Sequence, residues 1–402
     1  MKGNPGLFTV GPLAAILVLA VSHRPLTGQG GRPEPPARLD DRTNGFVTQA
    51  AFDTARSRFM ERDDPADGLG PVFNGRSCAE CHRAPIVGAG SATTVLRAGH
   101  FDGTHFIEHP GGSLIQDRAI DPAIQERILP GNEVRAQRIS LSTLGDGYIE
   151  AIDDSTILNL SSSQPAGMRG EAVQVPVLEA PGTTRVGRFG WKAQHASLLS
   201  FAADAYLNEM GITSRLLPTE NTSNGRSVAA FDTVQDPEDT DHDIDAFATF
   251  MRATRVPARD ETLARSPDAT TGASQFRAIG CGTCHVPDIT TAPAGRVLNG
   301  GAFTVPAALG GQTIHPFSDF LLHDVGTGDG IVQNGGQTTR NKLRTPPLWG
   351  LRLRRGLMHD GSSPNPHEAV IRHGGEARDV VRFYNNLDAG QRRQLLAFLD
   401  SL

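Results

Sequence analysis

The chain has 402 residues, 38% hydrophobic and 20% charged, with a formal net charge of −6. That length allows two domains, and a mildly acidic chain without a block of Lys and Arg excludes a nucleic-acid binder. Its 45 Gly and 27 Pro are spread along the chain, as in a loop-rich protein whose apolar core is partly supplied by a bound group.

Lys2 precedes an apolar stretch from Leu7 to Ser22, interrupted at Gly11-Pro12. It is short for a membrane span, which needs about 20 apolar residues. Ala20-Val21-Ser22 fits a small-x-small cleavage site. Residues 1–22 therefore read as a secretory signal and the protein as periplasmic, with an uncleaved anchor as the alternative. No cysteine follows the stretch, which excludes a lipoprotein anchor. Residues 23–45, rich in Pro, Gly and charge, read as a mobile linker. From Phe46 to Glu61 the apolar residues recur at helical spacing.

Next comes Cys78-Ala79-Glu80-Cys81-His82, and far downstream Cys281-Gly282-Thr283-Cys284-His285. Cys-x-x-Cys-His is the attachment signature of c-type haem. The two cysteines would form thioethers to the porphyrin, and His82 and His285 would be the proximal iron ligands. The two motifs use all four cysteines of the chain. A zinc site or a redox dithiol is the bland alternative. It is disfavoured because each pair is followed at once by His and the pairs lie in different halves of the chain. Haem c is attached outside the cytoplasmic membrane, which agrees with the signal.

Between 93 and 152 short apolar pieces broken by Gly, such as TTVLRAGHFDG and GYIEAI, read as strands or extended loops and so as an insertion. Ser197–Met210 reads as a helix. The polar run after it places a domain boundary near 225, giving haem domains over 46–225 and 226–402. Further helices are expected over Asp243–Thr254, leading into the second domain, Gly272–Ile279, entering the second motif, and Ala389–Leu402. The fold class is mainly α, two cytochrome c-like haem domains with loop and short-strand insertions. Asp239, Asp241, Asp243 and Asp245 alternate as in a calcium loop, but Ile244 and Phe250 stand where that loop needs Gly and Glu. They read as acidic residues at a helix N-terminus. Gly326-Thr-Gly-Asp-Gly330 lacks the strand–helix setting of a nucleotide site.

Beyond these motifs, the stretches GLGPVFNGRSCAECH (68–82), GRFGWKAQHASLLSFAADAYLNEMGI (187–212), GCGTCHVPDI (280–289), PFSDFLLHDVGTGD (316–329), RTPPLWGLR (344–352), LMHDG (357–361) and EAVIRHGGEA (368–377) resemble one family. It is the bacterial di-haem cytochrome c peroxidase superfamily, and within it the di-haem oxidoreductases described as thiol oxidoreductases or peroxidases. The resemblance implies two covalently attached haems c, a small-molecule oxidant such as peroxide, and a small redox-protein donor such as a cytochrome c. It implies a tryptophan between the haems, Trp191, and a distal acid–base glutamate, Glu209; the bland alternatives are a core aromatic and a solvated helix residue. It also leaves room for a calcium ion, without assigning ligands, and for a homodimer.

For the first haem, His100, His105 and His109 are candidate second ligands, with His100 at the most familiar spacing. For the second, Val325 stands where relatives carry Met, so that ligand is lost; Met358, His359 or His323 could replace it, or the position could be open. Asp324 and Asp360 are candidate partners for neighbouring histidines. The class alternative to an enzyme is an electron-transfer protein with two closed haems. A further alternative keeps the enzyme but changes its substrate, with the 93–180 insertion shaping the site.

Overall fold

Helix α1 (Gln49–Met60) starts where Thr48 accepts a hydrogen bond from the Ala51 N–H, and it buries Phe52, Ala55 and Phe59, the spacing of one helical face. The computed structural model describes Met1 and residues 32–402. Residues 2–22 of the signal segment and the first part of the linker lie outside the described residues. The rest of the linker is pinned along the protein. Arg38 and Asn44 donate their backbone N–H groups to Val256 and Ala253, the Asn44 side chain donates to the Arg252 and Thr254 carbonyls, and Arg255 pairs with Asp40 at 3.1 Å. Composition suggested mobility, but a backbone whose polar groups find tertiary partners is ordered whatever its composition.

The insertion forms the largest sheet among the described residues. Strand β1 (Thr94–Phe101) is flanked by β2 (Phe106–Glu108), β3 (Leu114–Ile115) and β4 (Val134–Ile139), all antiparallel to it. The GYIEAI piece is not extended: Asp146–Glu150 is a short, fully buried helix. Helix α2 (Asp154–Ser163), capped by Asp153, was not expected.

Helix α3 (Leu198–Met210) is capped by Ser197, which accepts from the Leu199 and Ser200 N–H groups, and it ends on Gly211 at φ +70°. Two bonds close that end, from the Gly211 N–H to the Leu207 carbonyl and from the Ile212 N–H to the Tyr206 carbonyl, a left-handed glycine cap. Helix α4 (Asp243–Ala253) forms over nearly the expected span. It joins α1 and α3 in one core, with Phe52–Phe250 rings 5.5 Å apart and Tyr206–Phe247 rings 5.1 Å apart. α4 packs against both α1 and α3, and α1 in turn packs against the short helix Cys78–Cys81.

Helix α5 (Pro267–Ala278) begins earlier than expected, with Ser266 as cap and Pro267 in its first turn, a start signal readable from the residues. It crosses α7 (Ala389–Asp400), which opens on a capping box of Asp388 and Gln391. Gly272 lies against the backbone of Gln394, where any Cβ would clash. The crossing brings Phe276 and Phe398 to 5.2 Å between rings. With α6 (Arg378–Asn385) these helices form a second apolar core around Phe276, Tyr384 and Leu395. From Pro33 to Leu402 the chain is one compact unit.

Candidate active site

The first motif opens onto a cavity of about 200 Å³ lined by Cys78, Cys81, His82, Trp191 and Glu209. Ser77 caps the short helix Cys78–Cys81. Glu80, inside the motif, is tied to Arg62 at 2.7 Å and Arg118 at 3.2 Å, on the side away from the cavity. Burial holds His82 down to about 4, against the nearby carbonyls of Leu141 and Ala89. It is therefore a neutral imidazole, and its buried Nδ1 has no hydrogen-bond partner. The insertion sheet forms the opposite wall through Val95, Arg97 and Arg138.

Glu209 is fixed from two sides. Its backbone carbonyl accepts the Asn74 and Gly75 N–H groups at 2.8 and 3.0 Å. Its Oε2 accepts from Asn74 Nδ2 at 2.8 Å. Burial raises its carboxyl; the Asn74 bond and the charge of Arg97 oppose this, in that order, without cancelling it. A carboxyl of raised pKa at a cavity wall suits proton transfer.

The second motif opens onto a cavity of about 180 Å³ lined by Cys281, Cys284, His285, His373 and Met358. His285 Nδ1 lies 3.0 Å from the Phe317 carbonyl, which leaves Nε2 free, the arrangement typical of a metal-binding imidazole. Burial and then the neighbouring His373 hold it down to about 4. His373 is itself turned by a 2.7 Å bond between Nδ1 and the Ala369 carbonyl. Two imidazoles thus face one cavity, each with one nitrogen engaged by a backbone carbonyl and the other available.

Of the tentative second ligands, Met358 lines this cavity, in a left-handed conformation at φ +66°. His359 lines it too, and its Nδ1 is buried without a partner. His323 has no nitrogen to offer: Nε2 lies 2.8 Å from Asp319 and Nδ1 2.6 Å from Glu376. Burial opposes its charge, but hydrogen bonds to Asp319, Cys284 and Glu376 prevail and push it up to about 12. Asp324 and Asp360 bond Gly326 and Ser362 rather than a histidine. Val325 lines the cavity and presents no donor.

For the first cavity the expected histidines fail. His100 lies on β1, where its Nδ1 meets Glu133 at 2.8 Å on the surface. His105 is exposed, and His109 is buried but accepts the Leu129 N–H. None of the three lines either cavity. Spacing suggested His100, but the sheet carries it outward.

Trp191 lines both cavities, as do Arg344 and Arg354. Its indole N–H donates to the Ile139 carbonyl at 2.9 Å, and its ring stands edge-on to His359 with centroids 6.3 Å apart. Arg344 donates to the Gly190 carbonyl at 2.6 Å, and Arg354 to the Pro347 carbonyl. Burial pushes both guanidinium groups down to about 10. Buried cations held mainly by carbonyls suit an anionic group in the cavities.

These features fit two haems. No disulfide joins the four cysteines, and the pairs line separate cavities, which rules out a four-cysteine zinc site. Each cavity has a neutral imidazole beside its cysteines, and Arg344 and Arg354, which line both, have no ion-pair partner within 4 Å among the described residues. His373 and Arg97 were missed in the sequence. The EAVIRHGGEA stretch carried the signal for His373, whereas nothing local marks Arg97.

The family described as "Di-haem oxidoreductase, putative peroxidase" matches residues 116–402, so the match includes the second motif and begins after the first. No curated protein matches the chain. Similar solved structures include a MauG-like protein associated with microbial copper homeostasis, 15% identical over 92% of this chain and 93% of that one, with a TM-score of 0.42. The diheme peroxidase BthA from Burkholderia thailandensis E264 is 16% identical over 92% of this chain and 94% of its own, with a TM-score of 0.39. Hydrazine synthase from Kuenenia stuttgartiensis is 15% identical over 100% of both chains, with a TM-score of 0.40.

Proposed function

This chain belongs to the di-haem oxidoreductase family, and from that premise we propose that it reduces hydrogen peroxide, or performs a related haem oxidation, with electrons from a small redox protein such as a cytochrome c. The observation that carries this reading is Glu209, a carboxyl of raised pKa fixed by Asn74 at the wall of the first motif's cavity. Cys78 and Cys81 would hold one haem c and Cys281 and Cys284 the other, by thioethers, with His82 and His285 as iron ligands. Arg344 and Arg354 would neutralise propionates. When bound, a haem supplies a redox-active iron whose behaviour is set by its axial ligands, the pocket polarity and access.

Splitting an O–O bond needs a group that takes a proton from one oxygen and returns it to the other. Glu209 would do both, first as carboxylate and then as carboxylic acid. Asn74 fixes the carboxyl plane. His373, with Nε2 available, would close the second iron against small ligands and leave it to store an electron. Trp191, in the wall common to both cavities, would carry electrons between them. Export to the periplasm belongs to the same reading.

The test is peroxide turnover with a reduced donor. Glu209→Gln keeps the shape and the Asn74 contact but cannot accept the proton. Turnover should fall by roughly 10²–10⁴, with haem content unchanged. Turnover equal to that of the native protein would remove Glu209 from the role.

A further inference from the structure

We propose that Arg97 is a second catalytic residue of the first cavity, a guanidinium that binds the leaving oxygen of peroxide opposite Glu209; this rests on the peroxide-reducing reading above. Arg97 lies in β1, and its side chain lines the same cavity as Glu209 and Asp204. One end is tethered, with Nη1 donating to Ser113 Oγ at 3.0 Å. Its Nε–H is buried and has no partner. A buried donor without an acceptor is costly, and native proteins rarely leave one so. No carboxylate lies within ion-pair distance of it among the described residues, unlike Arg138 and Arg188, which line the same cavity and are paired with Asp329 and Asp154. Yet its charge reaches Glu209 and Asp204 and favours their ionised forms. Arg97 is therefore a fixed cation with a free donor, facing a cavity whose proton carrier is Glu209.

The chemistry asks for such a pair. The reaction consumes H2O2, two electrons and two protons and yields two waters. The carboxylate of Glu209 takes the proton from one oxygen. As the O–O bond breaks, negative charge collects on the other oxygen, which receives that proton and leaves as water. The oxygen that gave up its proton takes the two electrons, which come from the donor protein, and two protons from solvent. A preorganised donor aimed at the developing charge is commonly worth about 100-fold in rate. Arg344 and Arg354 are not equivalent to Arg97, because they line both cavities and are held by carbonyls.

Two measurements on the haem-loaded protein test this. The first is the affinity of the oxidised protein for fluoride, an anion that a nearby guanidinium stabilises and that requires no turnover. Arg97→Met should weaken fluoride binding roughly tenfold, the worth of one hydrogen bond to an anion. The second is peroxide turnover, which should fall about 100-fold. Where Arg97→Met loses fold or haem, Arg97→Lys carries the comparison, and fluoride binding should still weaken because a lysine has no Nε–H at that point. Unchanged fluoride affinity in a folded, haem-loaded variant overturns the proposal. If the midpoint potentials shift while fluoride affinity stays, Arg97 holds a propionate instead, and the proposal again fails. A native protein that binds fluoride in an Arg97-dependent way but reduces no peroxide keeps the arginine as an anion-binding group and removes the peroxidase reading alone.

Discussion

Burial raises the Glu209 carboxyl above its ordinary range, and that determines the pH at which it can act as a base. The base form is the carboxylate, which is lost as pH falls through the raised value. Peroxide reduction should therefore decline on the acid side at a pH above about 4.3, where a free Glu titrates. The limb should vanish in Glu209→Gln, as a pH–rate profile would show. His373 makes a separate prediction. With its Nδ1 engaged by the Ala369 carbonyl and its other nitrogen available at the second cavity, His373→Ala should convert one low-spin haem signal to high spin or to a new ligand. His100→Ala, on the outer sheet, should leave the absorption and EPR spectra as they are. Glu209 and Trp191 stand in the stretches that carry the family resemblance. Arg97 does not, and a lone arginine in a strand looks like any surface cation.

The C-terminal end of α3 is the element on which the first cavity depends. Gly70 donates its N–H to the Met210 carbonyl at 3.0 Å, and a Cβ at Gly70 would clash with the backbone of Gly211. The loop that leads into Cys78 is thus seated on the helix that carries Glu209, backbone against backbone. Gly70→Ala should push the two apart, cost about 1–3 kcal/mol or more as overpacking does, and lower peroxide turnover together with Tm. Thermal unfolding and turnover measured on one preparation would check this; a stable, fully active variant would contradict it. Apolar spacing made α3 and α7 readable, and the structure adds their caps, Ser197 and Gly211 at the ends of one and Asp388 at the start of the other. The start of α5 at Ser266-Pro267 was equally readable in principle. Asp146–Glu150 was not, because its glycine and aromatic content reads as extended until burial on all sides makes it a turn of helix.

Across the whole molecule, Trp191 unites the two cavities. Its ring lines both, and its indole bond to Ile139 holds it to the end of the insertion sheet. Trp191→Phe should slow electron exchange between the haems after one is reduced by a pulse, with haem content and unfolding temperature little changed; an unaltered rate would assign the transfer to another route. In the tertiary structure α4 shares a core with α1 and α3, and the described part of the linker is bonded to the end of α4 and the stretch that follows it. By itself the sequence marked the two cysteine pairs and the histidines beside them, because Cys-x-x-Cys-His is a local pattern. It also determined the helices whose caps and apolar faces lie within a dozen residues. Only the tertiary structure decided which side chains share a cavity. Arg97 and Glu209 line one cavity, His100 turns away, and His373 and His285 line the other, because burial and the direction of a side chain depend on segments far apart in the chain.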